Sequence, residues 1–258
     1  MIRLASFNVN SVRKRAPHIL RFLARQQPDL LFLQELKCRT EEFPAAEFAA
    51  SGYQVHAVGQ TGGRNGVAVI SRIPFKLVAE HLPGQDDDMQ ARYIEVAAAG
   101  MQVAGIYLPN GNSGGDAGYL YKLAWMERLR RLAQARLDAF IPFAVLGDFN
   151  VCPTEHDLAK GTLPPTDALV RPETRAEWRA LEHLGLTDAL RALHPAPEPI
   201  YTYWDYGSAF ERNAGLRIDH ALLSAELAER LAACTVDAEP RAEEQPSDHT
   251  PLVVDLAD

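Results

Sequence analysis

Apolar residues along the chain gather in short runs of strand length, separated by clusters of Gly, Pro, Asn and Asp. The run at 30–33 is continuously apolar, which is typical of a strand buried on both faces. Residues 2–9 alternate more loosely between apolar and polar side chains. The pattern predicts strands at 2–9, 30–33, 53–58, 66–70, 76–80, 91–97, 101–108, 143–146, 200–203, 217–223, 235–239 and 251–256.

Three segments carry apolar residues at helical spacing and predict helices at 17–26, 119–140 and 173–184. Gly-, Asn- and Ser-rich residues 109–118 and the Pro-rich residues 153–172 predict loops. Two similar halves of strands and helices predict an α/β fold with two sheets packed face to face and helices outside. The clearest helical stripe consists of Leu120, Leu123, Met126, Leu129, Leu132 and Leu137.

The bulk composition narrows the class of protein. The chain has 258 residues, 47% of them apolar, and no linker-like segment, so we predict one catalytic domain over 1–258. No apolar run approaches the roughly 20 residues of a membrane span, and the first residues have a strand pattern rather than that of a signal peptide. We therefore expect no membrane partner. The three cysteines form no CxxC pair, which disfavours disulfides and zinc and fits a cytoplasmic location.

The formal net charge of -8 argues weakly against a nucleic-acid partner, because phosphate binding favours a basic surface. Net charge is a poor guide to one surface, however, and a divalent cation bound by acidic residues would offset part of it. Nine basic residues lie in or near predicted loops and could follow a phosphate backbone, with scattered solvated charge as the alternative: Arg13, Lys14, Arg15, Arg64, Arg72, Lys122, Lys160, Arg212 and Arg217.

Polar side chains follow several predicted strands at the point where each run ends. Asp148 and Asn150 are two residues apart, so an extended chain directs both to one face. A carboxylate beside an amide suits the activation of water, because the acid takes a proton and the amide orients the water or an oxyanion. The GDxN pattern is weak alone, since such a turn also arises for structural reasons.

Asp219 lies in an apolar run and needs a polar partner if it is buried. His249 is a candidate, because a carboxylate on one ring nitrogen fixes the tautomer and leaves the other nitrogen free for a phosphate oxygen. The pair formed by Asp248 and His249 could also do no more than cap a turn.

Glu35 ends the apolar run at 30–33, and Asn8 and Asn10 end the first predicted strand. Such oxygen donors, without His/Cys pairs at zinc spacing, indicate Mg²⁺, with Mn²⁺ as the alternative. Tyr107 ends another strand, with Asn110 beside it. Its hydroxyl could contact a phosphate, although a half-buried core tyrosine is the commoner case.

These motifs follow one order over nearly the whole chain, and in that order the chain resembles the exonuclease III family of apurinic/apyrimidinic endonucleases. It departs from the family at Leu36, where threonine usually follows the metal-binding glutamate. The resemblance rests on SFNVNS at 6–11, LQELK at 33–37, GVAV at 66–69, YLPNG at 107–111, GDFN at 147–150, YWDY at 203–206, LRID at 216–219 and SDHTP at 247–251.

The resemblance implies a four-layer α/β/β/α sandwich with two packed mixed, mainly antiparallel sheets. It implies a metal held by Glu35, with Asn8 and Asp248 close by, and water activated by Asp148 with help from Asn150. His249 paired with Asp219, and also Tyr107 and Asn110, would contact the scissile phosphate. The implied substrate contacts are Asn10, Asn110 and, around a baseless sugar, Tyr203, Trp204 and Leu216.

The implied function is a metal-dependent phosphodiesterase of DNA repair, monomeric, acting on double-stranded DNA. It would cut the backbone 5′ to abasic sites and remove nucleotides or blocking groups from 3′ ends. One alternative is a phosphoesterase of the same superfamily that acts on RNA or another phosphodiester. A second alternative, from a different class, is a catalytically silent DNA-binding module.

Overall fold

The computed structural model of the protein describes all 258 residues and contains two sheets of six strands each. The helices are α1 Val12–Gln26, α2 Ala45–Ala50, α3 Gly115–Asp138, α4 Pro172–His183, α5 Ala189–Leu193 and α6 Ala225–Ala228. The strands are β1 Ile2–Asn8, β2 Leu30–Gln34, β3 Gln54–Val58, β4 Val67–Ser71, β5 Lys76–Ala79, β6 Tyr93–Ala98, β7 Met101–Tyr107, β8 Phe143–Asp148, β9 Thr187–Asp188, β10 Asp219–Leu223, β11 Leu231–Val236 and β12 Leu252–Leu256.

Each sheet contains one parallel pair among antiparallel neighbours. The first sheet has the order β11-β12-β1-β2-β4-β3, and only β1 and β2 are parallel. The second has the order β5-β6-β7-β8-β10-β9, and only β7 and β8 are parallel. The predicted α/β architecture of two mixed, mainly antiparallel sheets is therefore confirmed.

The sheets pack face to face because the inward side chains of both are apolar, and the helices cover the outer faces. One core cluster joins inward residues of both sheets, such as Leu4 and Leu146. A second lies between the first sheet and α1, and a third lies between the second sheet and the helices α3 and α4. Gly105 lets the sheets approach, because a Cβ atom there would lie 2.2 Å from the Phe32 ring.

Several element boundaries differ from the sequence prediction. The predicted strand at 200–203 is wrong: Tyr203 makes only isolated bridges, to Leu216 and to His249, and Tyr201 packs in a small cluster with Trp204 outside both sheets. Helix α1 begins five residues early, since the Val12 amide donates to the Leu36 carbonyl oxygen. Leu120 is 63% exposed, so it does not belong to the buried face of α3. None of the helices is both long and apolar enough to cross a bilayer.

Candidate active site

Three predicted site residues form a row at one end of the three adjacent strands β7, β8 and β10. Strand β7 pairs Tyr107 with Asp148 on β8, and β8 pairs Asp148 with Asp219 on β10. Asp148 and Asp219 are each only 1% exposed, so both carboxylates are held away from bulk water. The register of the strands, rather than a flexible loop, therefore sets the spacing of these groups.

The first sheet brings a second set of polar groups to the same place. Asn8 ends β1, and Glu35 follows β2 in the left-handed backbone region, at φ 53°. The Asn8 Nδ2 group donates hydrogen bonds to Glu35 Oε1 and to Asp148 Oδ2, both at 3.0 Å. The buried amide of Asn8 thus links carboxylates from the two sheets, while its own oxygen accepts from the Asn10 backbone N–H.

His249 completes a buried chain of acid, imidazole and acid. Its Nδ1–H donates to Asp219 Oδ2 at 2.8 Å, and its Nε2 lies 3.7 Å from Asp148 Oδ2. Burial disfavours the imidazolium, but Asp219 and Asp148 outweigh that effect and raise the pKa of His249 to about 10. The ring is therefore a cation at neutral pH, with Nε2–H directed to the side of Asp148.

Asp148 is held by its own chain. The Asn150 amide N–H donates to Asp148 Oδ1 at 2.9 Å, and Asn150 itself lies in the left-handed backbone region at φ 49°. Burial raises the pKa of Asp148 to about 7; His249 opposes that rise, and the nearby carboxylates of Asp219 and Glu35 add to it. A carboxyl group that exchanges its proton near neutral pH suits a general base.

The two asparagines predicted to act beside Asp148 bind each other. Asn110 Nδ2 donates to Asn150 Oδ1 at 2.9 Å, and Asn150 Nδ2 donates to the Leu108 carbonyl oxygen at 3.0 Å. The loops after β7 and β8 are therefore joined side chain to side chain. Both asparagines reach the wall of one cleft, together with Tyr107 and Asp148.

Tyr107 is only partly buried, and the Arg92 guanidinium lies over its ring, 4.6 Å from the centroid. Burial, together with Glu35 and Asp148, raises the pKa of the Tyr107 hydroxyl well above its ordinary value. The hydroxyl therefore stays protonated at neutral pH and is available as a hydrogen-bond donor.

Asp248 and Asn10 lie at the edge of the cluster. Asn10 Nδ2 donates to Asp248 Oδ1 at 3.0 Å, and Asn10 Oδ1 accepts from Lys37 Nζ at 2.6 Å. Lys37 also forms an ion pair with Glu35 Oε2 at 2.8 Å. Burial would raise the pKa of Glu35, but the hydrogen bonds from Lys37 and Asn8 lower it on balance. Glu35 is therefore ionised at neutral pH.

A cleft of about 620 Å³ runs past these groups. One end is polar, and the other is lined by Tyr203, Leu216 and Ile218. The Tyr203 ring meets the His249 ring edge to face, with centroids 5.0 Å apart. Of the three residues predicted around a sugar, Trp204 does not line the cleft, because its Nε1–H donates to Asn213 and its ring packs on Phe210 behind the wall.

The cluster can hold a divalent cation. One carboxylate oxygen each from Glu35 and Asp148 and a ring nitrogen of His249 lie within 4.8 Å of one another. Because a protonated imidazole cannot ligate a metal, the two carboxylates would hold the cation. The set is rich in carboxylate oxygens, as Mg²⁺ and Mn²⁺ prefer. Asp219 Oδ1 is buried and has no hydrogen-bond partner, so the cluster carries unsatisfied negative charge. Of the three predicted metal ligands, only Glu35 belongs to this group. Asn8 directs an N–H group toward the carboxylates of Glu35 and Asp148, and Asp248 lies at the edge of the cluster.

Lys37 was given no role in the sequence analysis. Lys122 and Arg217 were predicted as residues in or near loops that could follow a phosphate backbone, which is wrong because both side chains are buried. Lys37 stands within a quoted motif, and only the folded chain shows that it pairs with Glu35. Lys122 lies on the buried face of α3, where its Nζ binds the carbonyl oxygens of Asn110 and Asn150. A signal was available, because Lys122 follows Tyr119 and precedes Trp125 by three residues, the spacing of one helix face.

Known proteins of similar sequence and similar structure agree with this fold and site. The chain is 32% identical to exodeoxyribonuclease III of Haemophilus influenzae over 97% of this chain and 98% of that protein. Its structure matches an AP endonuclease from Archaeoglobus fulgidus with a TM-score of 0.93 and 37% identity, covering 99% of each chain. It matches a Neisseria 3′ phosphatase bound to a product DNA hairpin with a TM-score of 0.94 and 35% identity, covering 100% of each chain.

The family profile described as "Endonuclease/Exonuclease/phosphatase family" matches residues 5–249, from the first strand to His249. That span contains every polar residue of the site described above and all of the strands except β12 and the first residues of β1. The resemblance deduced from the motifs is confirmed by this match and by the similarity to exodeoxyribonuclease III. The chain therefore belongs to the endonuclease/exonuclease/phosphatase family.

Proposed function

We propose that the chain is a metal-dependent phosphodiesterase of DNA repair that hydrolyses the backbone 5′ to abasic sites and trims nucleotides or phosphate from 3′ ends. One observation carries the proposal: Glu35, Asp148 and His249 from both sheets converge at one cleft, with Asp219 behind the imidazole. Relatives of high coverage named exodeoxyribonuclease III, AP endonuclease and 3′ phosphatase support the substrate class.

The residues of the cleft can divide the hydrolysis between them. Asp148 is placed to accept the proton of the attacking water, with Asn150 fixing the orientation of its carboxylate. The cationic His249 is placed to donate a hydrogen bond to a phosphate oxygen, and the protonated Tyr107 hydroxyl can donate another. A bound Mg²⁺ ion, held by Glu35 with Asp148 and His249 adjacent, would supply charge neutralisation at the phosphate and the leaving oxygen.

The shape and charge of the cleft suit damaged DNA. Its apolar end, formed by Tyr203 and Leu216, can accept a sugar that has lost its base. Lys160 and Arg212 line the same cleft, while Arg13 and Lys14 line a neighbouring groove. These side chains give a basic track for phosphates on a protein whose formal net charge is -8. We further propose that residues 1–258 form one catalytic domain that acts as a monomer.

A cleavage assay tests the function. Purified protein with Mg²⁺ receives an abasic DNA duplex, a blunt intact duplex, a nicked duplex with a 3′-phosphate and an RNA duplex of the same sequence. We expect nicking 5′ to the abasic site, removal of the 3′-phosphate and loss of both activities in EDTA. Cleavage of the RNA alone would favour the alternative phosphoesterase, and binding of DNA without cleavage would favour the silent DNA-binding module.

A further inference from the structure

Lys122 is a fully buried lysine directly beneath the cleft. Its Nζ donates to the Asn110 carbonyl oxygen at 3.0 Å and to the Asn150 carbonyl oxygen at 2.6 Å. It forms no salt bridge, because both of its hydrogen-bond partners are backbone oxygens. Lys122 therefore ties the loop after β7 to the loop after β8, at the two residues whose side chains reach the cleft.

The backbone around these carbonyl groups needs support from its surroundings. Asn150 is held in the left-handed region at φ 49°, which costs free energy for any residue with a side chain. Gly111 lies so close to the lysine that a Cβ atom there would be 2.7 Å from Lys122 Cδ. The loop after β7 thus rests on the aliphatic stem of Lys122, while the ammonium group binds one carbonyl group of this loop and one of the loop after β8.

Packing alone does not account for a lysine at this position. Burial lowers the pKa of Lys122 to about 7, which shows that the charged form is disfavoured by its surroundings. A methionine of similar volume would fill the same space on the apolar face of α3 without that cost. What methionine lacks is the pair of N–H donors that bridge the two loops.

We propose that Lys122 is a positioning residue for the phosphodiester hydrolysis proposed above: its ammonium group holds the carbonyl groups of Asn110 and Asn150 and thereby fixes their amides. Lys122 itself touches neither the cleft nor the cluster of Glu35 and His249. The proposal rests on the proposed function, because the amides matter only if they act on a phosphate.

The first test is a double-mutant cycle in the abasic-duplex assay. Lys122→Met is expected to lower kcat by about 10-fold to 10²-fold with little change in KM, since small displacements of reacting groups cost that much. Adding Lys122→Met to Asn150→Ala is expected to cost less than threefold more than Asn150→Ala alone. A kcat for Lys122→Met within threefold of wild type, or costs that multiply in the double variant, would overturn the proposal.

A matched control separates positioning from stability. Leu129 lies on the same buried face of α3, two turns further along, and packs only in the apolar cluster. Leu129→Ala is expected to lower Tm without lowering kcat at 25 °C. Lys122→Arg, which keeps N–H donors, is expected to recover part of the loss and serves if Lys122→Met does not fold. Equal losses of kcat in Leu129→Ala and Lys122→Met would show a merely structural role.

Amide hydrogen exchange gives a readout that does not depend on activity. In Lys122→Met the backbone amides of Asn112 and Asn150 are expected to exchange at least tenfold faster, whereas Leu129→Ala leaves them unchanged. Unchanged exchange in Lys122→Met refutes the positioning role. If the wild-type protein cleaves no DNA while exchange responds as expected, the proposed function fails and the tie between the loops stands.

Discussion

Two clusters of buried charge lie on either side of strand β10, and they are built in opposite ways. Beside the strand, Arg217 donates to Asp157 and to Asp188, at 2.7 Å in each case. Arg191 adds a second cation, 2.8 Å from Asp157. Two arginines thus face two aspartates, and the uncharged His220 accepts from Arg217 through Nδ1 at 3.0 Å. We call this set the arginine network.

The cluster at the cleft is not balanced. Four carboxylates, from Glu35, Asp148, Asp219 and Asp248, meet only Lys37 and His249 as cations. The unpartnered Asp219 Oδ1 has no counterpart among the carboxylate oxygens of the arginine network. Burial raises the pKa of Asp148, whereas Arg217 more than offsets the effect of burial on Asp157 and holds that pKa well below its usual value.

The contrast teaches how one fold uses buried charge for two purposes. The arginine network joins the loop that contains Asp157 to β9 and β10, and its charges are matched, so it ties elements together. The cluster at the cleft keeps an excess of negative charge that a cation and a phosphate ester can satisfy together. Substitutions should therefore separate the two: one cluster governs turnover and the other governs folding.

The largest effect is expected from Asp148→Asn. Losing the base should lower turnover on an abasic duplex by about 10²-fold to 10⁴-fold. Removing one negative charge from an unbalanced cluster should leave Tm unchanged or raise it. Steady-state kinetics and a thermal melt check both results. Turnover within tenfold of wild type would refute the role given to Asp148, and a large fall in Tm would contradict the contrast between the clusters.

Arg217→Met should have the opposite pattern of effects, with a large loss of stability rather than a loss of the catalytic base. Removing one partner of a buried ion pair costs about 3–5 kcal/mol, because Asp188 is left as an unpaired buried charge. Urea denaturation measures the free energy of unfolding. The double variant Arg217→Met with Asp188→Asn, which keeps an acceptor for the helix α5 amides, should recover part of the loss. Wild-type stability in Arg217→Met would show that the arginine network contributes nothing.

A divalent cation should stabilise the folded protein by binding at the cluster in the cleft and not at the arginine network. At a free concentration of 100 Kd, Mg²⁺ or Mn²⁺ should add about 2.7 kcal/mol to the free energy of unfolding. Thermal melts at increasing concentrations of Mg²⁺ or Mn²⁺ measure the effect, and a melt in buffer that contains EDTA and no divalent cation gives the baseline. Glu35→Gln should abolish most of the gain, whereas an equal gain in this variant would place the cation elsewhere.

The smallest effect concerns pH and the arginine network. Burial, aided by Arg217, lowers the pKa of His220 to about 3 from an unfolded value of 6.5. The unfolded chain therefore binds a proton that the folded chain does not, and stability present above pH 6.5 is lost as pH falls toward 3. The loss should be about 1.4 kcal/mol per pH unit.

His220→Gln is the matched variant for that measurement, because glutamine can still donate to the Val151 carbonyl oxygen and accept from Arg217. Urea denaturation at pH 7, 6 and 5 should give a shallower slope for the variant than for the wild-type protein. Parallel slopes would mean that His220 binds its proton equally well in the folded and the unfolded chain, so that burial does not lower its pKa.

Much of the fold followed from local patterns. Continuous apolar runs such as 30–33 predicted buried strands correctly. A strand covered on both faces has no side that contacts water, so no polar residues alternate with the apolar ones. The helix α3 was predicted with its start displaced by four residues, since glycines at 114 and 115 hide the first turn. The strand predicted at 200–203 failed because its apolar residues cover a cleft and a loop rather than a sheet.

The amino-acid sequence by itself determined which strands end in polar side chains. Each motif spans only a few residues, so the covalent chain keeps its polar groups next to the strand in any fold. It thereby indicated Glu35, Asp148, Asp219 and His249 together. Only the tertiary structure decided which groups touch: the Asn8 bridge, the balance of charge around Arg217 and the two carbonyl partners of Lys122. These contacts join residues far apart in the chain, and hydrogen bonding depends on distances and angles that appear only once both sheets have packed.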